Sequence, residues 1–267
     1  MNFKLKSAVQ WIMSVLPGSV RLNRSMQLYV TKSLPISEAE LLARRSFAEK
    51  HISCYSKIVG RPPATILDLG SGSDLAIPVL MAGNGRKVTA SDVSRLAFEE
   101  LIRNILSRVG ADSLSDLDVD YIVYDPPRLP FPDDSFDLIT STSVLEHVPV
   151  DQIEQLAAEL HRVLRPGGVS THHIAHKDHW SDSDPSIHDM NYLRYDERQW
   201  RRFNPPLLHQ NRLLSSQYVE IFSRHGFSVE KDTTVSARPL FEVAKQFAGF
   251  SDEDLRTTHT WLTLMKA

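Results

Sequence analysis

The stretch Ile66-Leu67-Asp68-Leu69-Gly70-Ser71-Gly72-Ser73-Asp74 sets an apolar run, an acid and a two-glycine turn in immediate succession. An apolar segment, Leu75 to Met81, follows and reads as a helix. Strand, glycine turn and helix in that order form the entry to a nucleotide-binding α/β sheet. Gly70 and Gly72 let the backbone turn sharply and approach a ligand, because no Cβ intervenes. Two glycines alone do not say which nucleotide.

From Ala64 onward the pattern alternates, which implies parallel strands joined by crossover helices. Strands are expected at Ala64–Leu69, Lys87–Ser91, Val119–Tyr124, Phe136–Thr140 and Val169–Ile174. Helices are expected from Ser94 to Val109 and from Asp151 to Leu164, the latter stopped by Pro166-Gly167-Gly168. A helix from Ser215 to His225 and strands at Phe227–Val235 and His259–Met265 complete the reading.

Residues 1–60 read as a helical cap, with residues 61–267 as the nucleotide-binding domain. Ser37 is placed to cap a helix running to Val59, with Glu40 three residues on, and Gly60-Arg61-Pro62-Pro63 ends it. Leu5, Ala8, Val9, Ile12 and Leu16 recur at helical spacing, which predicts an amphipathic helix packed on the domain. A membrane-surface contact through residues 1–16 is the second reading of that helix. The stretch is short, contains Gln10 and lacks a small-residue cleavage site, so a signal peptide is not expected.

A net charge of −3 gives no overall field for holding nucleic acid, which is therefore not an expected partner. The single cysteine, Cys54, excludes an intrachain disulfide and fits a reducing, cytoplasmic setting. No apolar run has the length of a membrane span.

Acids stand at three expected strand ends: Asp68, Asp92 and Asp125. Asp92 lies about twenty residues past the glycines, where a carboxylate can accept both hydroxyls of a ribose. NAD and S-adenosylmethionine both offer that ribose. A dinucleotide site wants a third glycine, and this chain has Ser73-Asp74 instead. An added acid would repel pyrophosphate and suit a ligand bearing ammonium and sulfonium charges. Asp68 could sit near the amino group, with loop N–H groups on the carboxylate. Pro78 is best tolerated in a first helical turn, so the helix should start late, near Ile77.

With these residues in view, the chain resembles the class I S-adenosylmethionine-dependent methyltransferases of the broad type 11 group. Ile66–Gly72 looks like the family's first motif and Thr89–Ser94 like its second strand with the ribose acid. Asp125 with Leu129–Asp137, Val144-Leu145-Glu146-His147-Val148 and Leu164–Gly168 resemble the later motifs. The resemblance implies a Rossmann-like sheet, mostly parallel with an antiparallel last strand and flanked by helices. It also implies that the acid at Asp125 holds the adenine amino group. The expected cofactor set is Asp68, Gly70, Ser71, Gly72, Asp92, Val93, Asp125, Pro126, Ser141 and His147.

Histidines gather at the end of the fifth strand: His172, His173, His176 and His179, with Asp178 among them and His188 beyond. Three readings compete, a metal site, a general base and structural groups; the loop composition around Ser181–Pro185 speaks against the first, and no metal is assigned. Strand alternation puts His172 and His173 on opposite faces. His173 is the first choice of base, and His176 or His179 the next. Residues 175–214 are too long for an ordinary connection and read as a lid or substrate platform. Trp180, Tyr192, Tyr195, Trp200 and Phe203 stand there among Arg194, Arg198, Arg201, Arg202 and Arg212. Such a mixture suits sugar rings, phosphate-bearing ligands or single-stranded nucleic acid, or else packs its rings and solvates its arginines.

A narrower resemblance links Leu16-Pro17-Gly18, Thr31–Pro35, His173-Ile174 with Asp178-His179, Asn191–Tyr195 and Asn211-Arg212-Leu213 to bacterial methyltransferases of surface-polysaccharide biosynthesis. It implies a sugar hydroxyl or a glycan-linked acceptor, and the reading of the whole chain is methyl transfer to a small-molecule or glycan-type acceptor at oxygen. The rival readings are an RNA methyltransferase, an NAD-dependent oxidoreductase and an inactive binding protein on the same fold.

Overall fold

The structure, a computed structural model, describes residues 2–14 and 34–266. Seven strands form one sheet: β1 (Thr65–Leu69), β2 (Lys87–Asp92), β3 (Val119–Val123), β4 (Phe136–Thr142), β5 (Leu164–Ala175), β6 (Phe227–Val235) and β7 (Thr257–Lys266). Their order is β3-β2-β1-β4-β5-β7-β6. The first five are parallel, and β7 lies antiparallel between β5 and β6. This is the expected Rossmann-like sheet with its reversed last strand. The chain leaves β1 toward β2 on one side and returns to β4 on the other, so a crevice opens at their carboxyl ends.

The central strands are apolar on both faces because helices cover both. Ile66, Val88 and Leu138 pack with Ala48 and Tyr55 of the N-terminal layer on one side. Leu67, Ile139 and Leu262 pack with Ile153, Leu160 and Phe222 on the other. Ile66 and Leu67 face opposite ways because successive strand side chains alternate.

Helix α1 covers Phe3–Ser14 and α2 covers Glu38–Val59. The capping box of α2 is as expected: Glu40 N–H donates to Ser37 Oγ at 3.2 Å, and Ser37 N–H donates to the Glu40 carboxylate at 2.7 Å. The helix ends at Gly60, left-handed at φ 79°. It lies on the sheet itself, where His51 is hydrogen bonded to Thr171 and Thr142.

Helix α1 differs from expectation. The predicted apolar stripe points outward, with Leu5, Val9 and Ile12 exposed, whereas Phe3, Ser7 and Met13 are buried. Leu16 falls outside the described residues. Specific anchors decide the orientation. Phe3 N–H donates to Asp184, and Ser7 and Trp11 both donate to the Arg202 carbonyl. Phe3 then enters an aromatic cluster of the insertion.

Helix α3 spans Ala76–Met81, one residue before the expected start, and Pro78 sits in its first turn. Helix α4 spans Glu99–Val109 and starts five residues later than Ser94. Phe98 N–H is tied to the Ser73 carbonyl at 3.0 Å, which keeps the preceding residues extended beside the glycine loop. Helix α5 is Val150–Val163. Strand β5 begins at Leu164, through the Pro166-Gly167-Gly168 turn rather than after it. A Cβ on Gly168 would lie 2.8 Å from the Arg165 carbonyl, so that irregularity requires glycine. Helix α6 is only Glu197–Trp200, α7 is Ser215–Arg224 and α8 is Asp252–Arg256. Among the described residues, no helix is long and apolar enough to cross a membrane.

The insertion builds a small core of its own. Trp180, Tyr192, Trp200, Met190 and Leu193 are buried with Leu214 and Phe247. Arg198, Arg201 and Arg202 are exposed, and Arg212 is buried, donating to the Tyr195 carbonyl and to Glu197. The rings there are packed rather than displayed, which was the plainer of the two readings of that mixture.

Candidate active site

A cavity of about 430 Å³ opens at the carboxyl ends of β1, β2 and β4. Leu69 and Gly70 form its floor, Asp92, Val93 and Leu96 one wall, and Tyr124, Pro126 and Pro127 another. Ser143, Val144, His147 and Val148 approach from the segment after β4, and Pro206, Leu207 and His209 come from the insertion. Of the expected cofactor set, the cavity wall therefore contains Gly70, Asp92, Val93, Pro126 and His147.

The other five expected residues are placed behind or beside it. Asp68 is buried under the loop, where it accepts from Thr140 Oγ1 at 2.7 Å and from Ser71 Oγ at 2.8 Å. Burial raises its pKa to about 7. Ser71 is the buried strut of the turn, since its hydroxyl also accepts the Ser91 N–H. Gly72 donates its N–H to Asp92. Ser141 is buried and hydrogen bonded to His172. Asp125 is exposed, between the wall residues Tyr124 and Pro126.

Asp92 accepts from Gly72 N–H at 3.3 Å and from the Tyr121 hydroxyl at 3.1 Å, and burial raises its pKa to about 6. Two carboxylate oxygens offer about four lone-pair sites, so accepting capacity remains for a ligand. Asp74 does not add charge to the loop: Arg44 of α2 pairs with it at 2.9 Å. The charge argument against pyrophosphate drawn from Asp74 therefore loses its force.

The histidines divide clearly. His172 is fully buried, between Ser141 and Ser170. His176 is buried with both ring nitrogens engaged, by the Leu213 carbonyl and Thr260. His173 packs against Phe47, His259 and Trp261, with Nδ1 3.5 Å from the hydroxyl of the cavity residue Ser143. His179 leaves that group and meets His147, the ring centres 5.0 Å apart. Burial lowers the pKa of His173 and of His179 to about 4, so both rings are neutral at pH 7.

Two residues carry signals that the sequence did not expose. Glu146 is buried beside His147, and one of its oxygens has no hydrogen-bond partner. His209 lines the cavity with a buried, unpartnered Nε2. The first sits inside a motif already visible; the second arrives from a segment more than sixty residues away.

Comparison with known proteins bears directly on the cavity. Residues 67–171 match the family described as a methyltransferase domain. This stretch of the chain is similar in sequence to methyltransferase domains. It resembles the methyltransferase GfsG of Streptomyces halstedii at 36% identity over 135 residues, covering 50% of this chain and 43% of that protein. It resembles the ubiquinone/menaquinone biosynthesis C-methyltransferase UbiE of Desulfotalea psychrophila at 32% identity, covering 39% and 38%. The chain thus spans about two fifths of the length of these curated relatives. The PH0226 protein of Pyrococcus horikoshii superposes over 91% of this chain and 98% of its own, with a TM-score of 0.55 at 18% identity. That likeness extends the fold beyond the matched stretch, over the helices and last strands.

S-adenosylmethionine is the cofactor that such a domain takes, and the wall residues fit it. Gly70 and Gly72 both hold left-handed backbone, and the space beside Gly72 is open where a Cβ would stand. Asp92 supplies the carboxylate and His209 the orphaned polar atom at the cavity wall.

Proposed function

We propose that this chain transfers a methyl group from S-adenosylmethionine to a small-molecule or glycan-linked acceptor, at oxygen. The observation that carries the reading is a coincidence of position. Leu69, Gly70, Asp92, Tyr124, Val144 and His147 all line one cavity, and all lie within the stretch that matches a methyltransferase domain.

Asp92 would accept the ribose hydroxyls, and Val93, Leu96, Tyr124 and Pro126 would enclose the base. The backbone at Gly70 would run beside the amino-acid portion. Asp68 would stabilise the turn from below rather than touch the ligand. The cofactor supplies a methyl group already activated by its sulfonium, so placement of the acceptor does most of the catalytic work. Neutral histidines around the mouth serve that end, because they do not repel a cationic cofactor. His173, next to Ser143, is the candidate proton acceptor for a hydroxyl. Pro206, Leu207 and His209 make the insertion part of the cavity wall, which supports its reading as a substrate platform.

Two measurements test this. Calorimetry with S-adenosylhomocysteine should give one site per chain, and no heat from folded protein would sink the cofactor assignment. Incubation with methyl-labelled cofactor and fractionated bacterial extract should put label into a glycan or small-molecule fraction as an alkali-stable ether. Label in RNA, or on carbon as the name of the UbiE relative would suggest, would overturn the acceptor assignment.

A further inference from the structure

We propose that Glu146, His147 and His179 hold one divalent transition-metal cation of the zinc type beside the mouth of the cavity. One donor atom from each of the three side chains lies within 4.8 Å of the other two. A cation held at about 2.0–2.2 Å keeps its donors roughly 3.4 Å apart, so closure of about an ångström would complete the set.

Each donor is prepared for that role. One oxygen of Glu146 accepts the Ala175 N–H, while the other is buried and unpartnered. Among the described residues no lysine or arginine is paired with it. A buried oxygen without a hydrogen-bond partner is costly, and a bound metal would satisfy it. His147 Nδ1 lies 2.6 Å from the His209 carbonyl. A carbonyl only accepts, so Nδ1 carries the proton and Nε2 presents its lone pair. Fixing the ring in this way is what outer partners of metal-bound histidines do. Among the described residues His179 has no hydrogen-bond partner for either ring nitrogen, and its ring stands beside that of His147.

The backbone beneath is fixed from both sides. Asn211 donates to the Leu145 and Val148 carbonyls, holding the turn that carries Glu146 and His147. Asp178, next to His179, accepts from Trp180 N–H and from Asn191. Two imidazoles and a carboxylate select zinc, iron, cobalt or nickel over magnesium or calcium, which favour all-oxygen sets. Three protein donors also leave coordination positions for an acceptor oxygen, whose hydroxyl the cation would acidify. A base as weak as His173 makes such activation useful. That use rests on the methyl-transfer reading; the binding itself does not.

The test is calorimetric titration of the chelator-treated full chain with zinc chloride, alongside a separate titration with S-adenosylhomocysteine. Wild type should bind one zinc per chain, and Glu146→Gln and His179→Ala should each weaken it at least tenfold with unchanged circular dichroism. His188→Ala, outside the cluster, should leave zinc affinity unchanged. Cobalt should give a visible absorption band that His179→Ala removes. No zinc binding by wild type, or equal binding by wild type and His179→Ala, overturns the metal site. Heat with S-adenosylhomocysteine but not zinc would remove the metal alone. Zinc heat without S-adenosylhomocysteine heat would remove the methyl-transfer reading alone.

Discussion

The backbone N–H of Gly72 donates to Oδ1 of Asp92 at 3.3 Å, joining the glycine turn to the end of β2. One carboxylate thus shapes the loop and faces the cavity. Asp92→Asn should weaken S-adenosylhomocysteine at least tenfold, because an amide cannot accept at both atoms. Burial holds the Asp92 pKa at about 6. The ligand-accepting carboxylate is therefore present above that value and lost below it. Wild-type affinity should fall several-fold from pH 7.5 to pH 5, and calorimetry across that range should show no such fall for Asp92→Asn.

The two loop glycines should respond differently to alanine. Both have positive φ, so each substitution carries a backbone cost of about 1 kcal/mol. A Cβ on Gly70 would also stand 2.5 Å from a methyl of Val144, whereas one on Gly72 meets nothing within 4 Å. Overpacking of that kind adds roughly 1–3 kcal/mol. Denaturant midpoints should therefore rank Gly70→Ala well below Gly72→Ala, and Gly70→Ala should also weaken the cofactor by displacing Val144. Equal midpoints would mean that Val144 moves aside freely.

Arg44 and Asp74 link α2 to the loop across thirty residues of sequence. Removing the arginine leaves a buried carboxylate held only by the Ala76 N–H, with its second oxygen already unpartnered. Arg44→Ala should destabilise the protein by about 1–3 kcal/mol. Adding Asp74→Asn should recover part of the loss, and a thermal melt of the double variant checks it.

The elements that sequence foretold well are those whose pattern is local. The carboxyl ends of β1, β2, β3 and β5, the Ser37–Glu40 capping box and the helix start near Pro78 follow from neighbouring residues and stand within a residue of expectation, whereas β5 begins at Leu164 rather than Val169. Choices made by distant contacts were not legible. Leu5, Val9 and Ile12 have the periodicity of a buried face, yet the Arg202 carbonyl and Asp184 turn the helix the other way. Asp74 reads as a free charge until Arg44 is seen beside it. The site shows the same division. Gly70 and Asp92 could be placed by spacing from the strand ends, but His209 reaches the wall through a fold of the insertion. His179 reads as one of a series with His172, His173 and His176, and only tertiary structure pairs it with His147.

Asp68 makes the pH dependence of stability a test of the turn's construction. Desolvation is the main cause that raises its pKa to about 7, with the Asp92 charge adding to it, against hydrogen bonds from Thr140 and Ser71. The native chain therefore binds this proton more tightly than the unfolded chain, whose carboxyl has its ordinary value of 3.8. The stabilisation is full below the ordinary value and is lost as pH rises through about 7, which amounts to at most about 4 kcal/mol. Asp68→Asn removes the titrating group and keeps the shape. Its unfolding free energy relative to wild type should thus improve steadily from pH 4.5 to pH 8 in chelator and without ligand. Urea melts at four or five pH values would reveal the trend. Parallel curves for the two proteins would mean that the carboxyl titrates alike in both states, and that burial beneath the loop does not govern its charge.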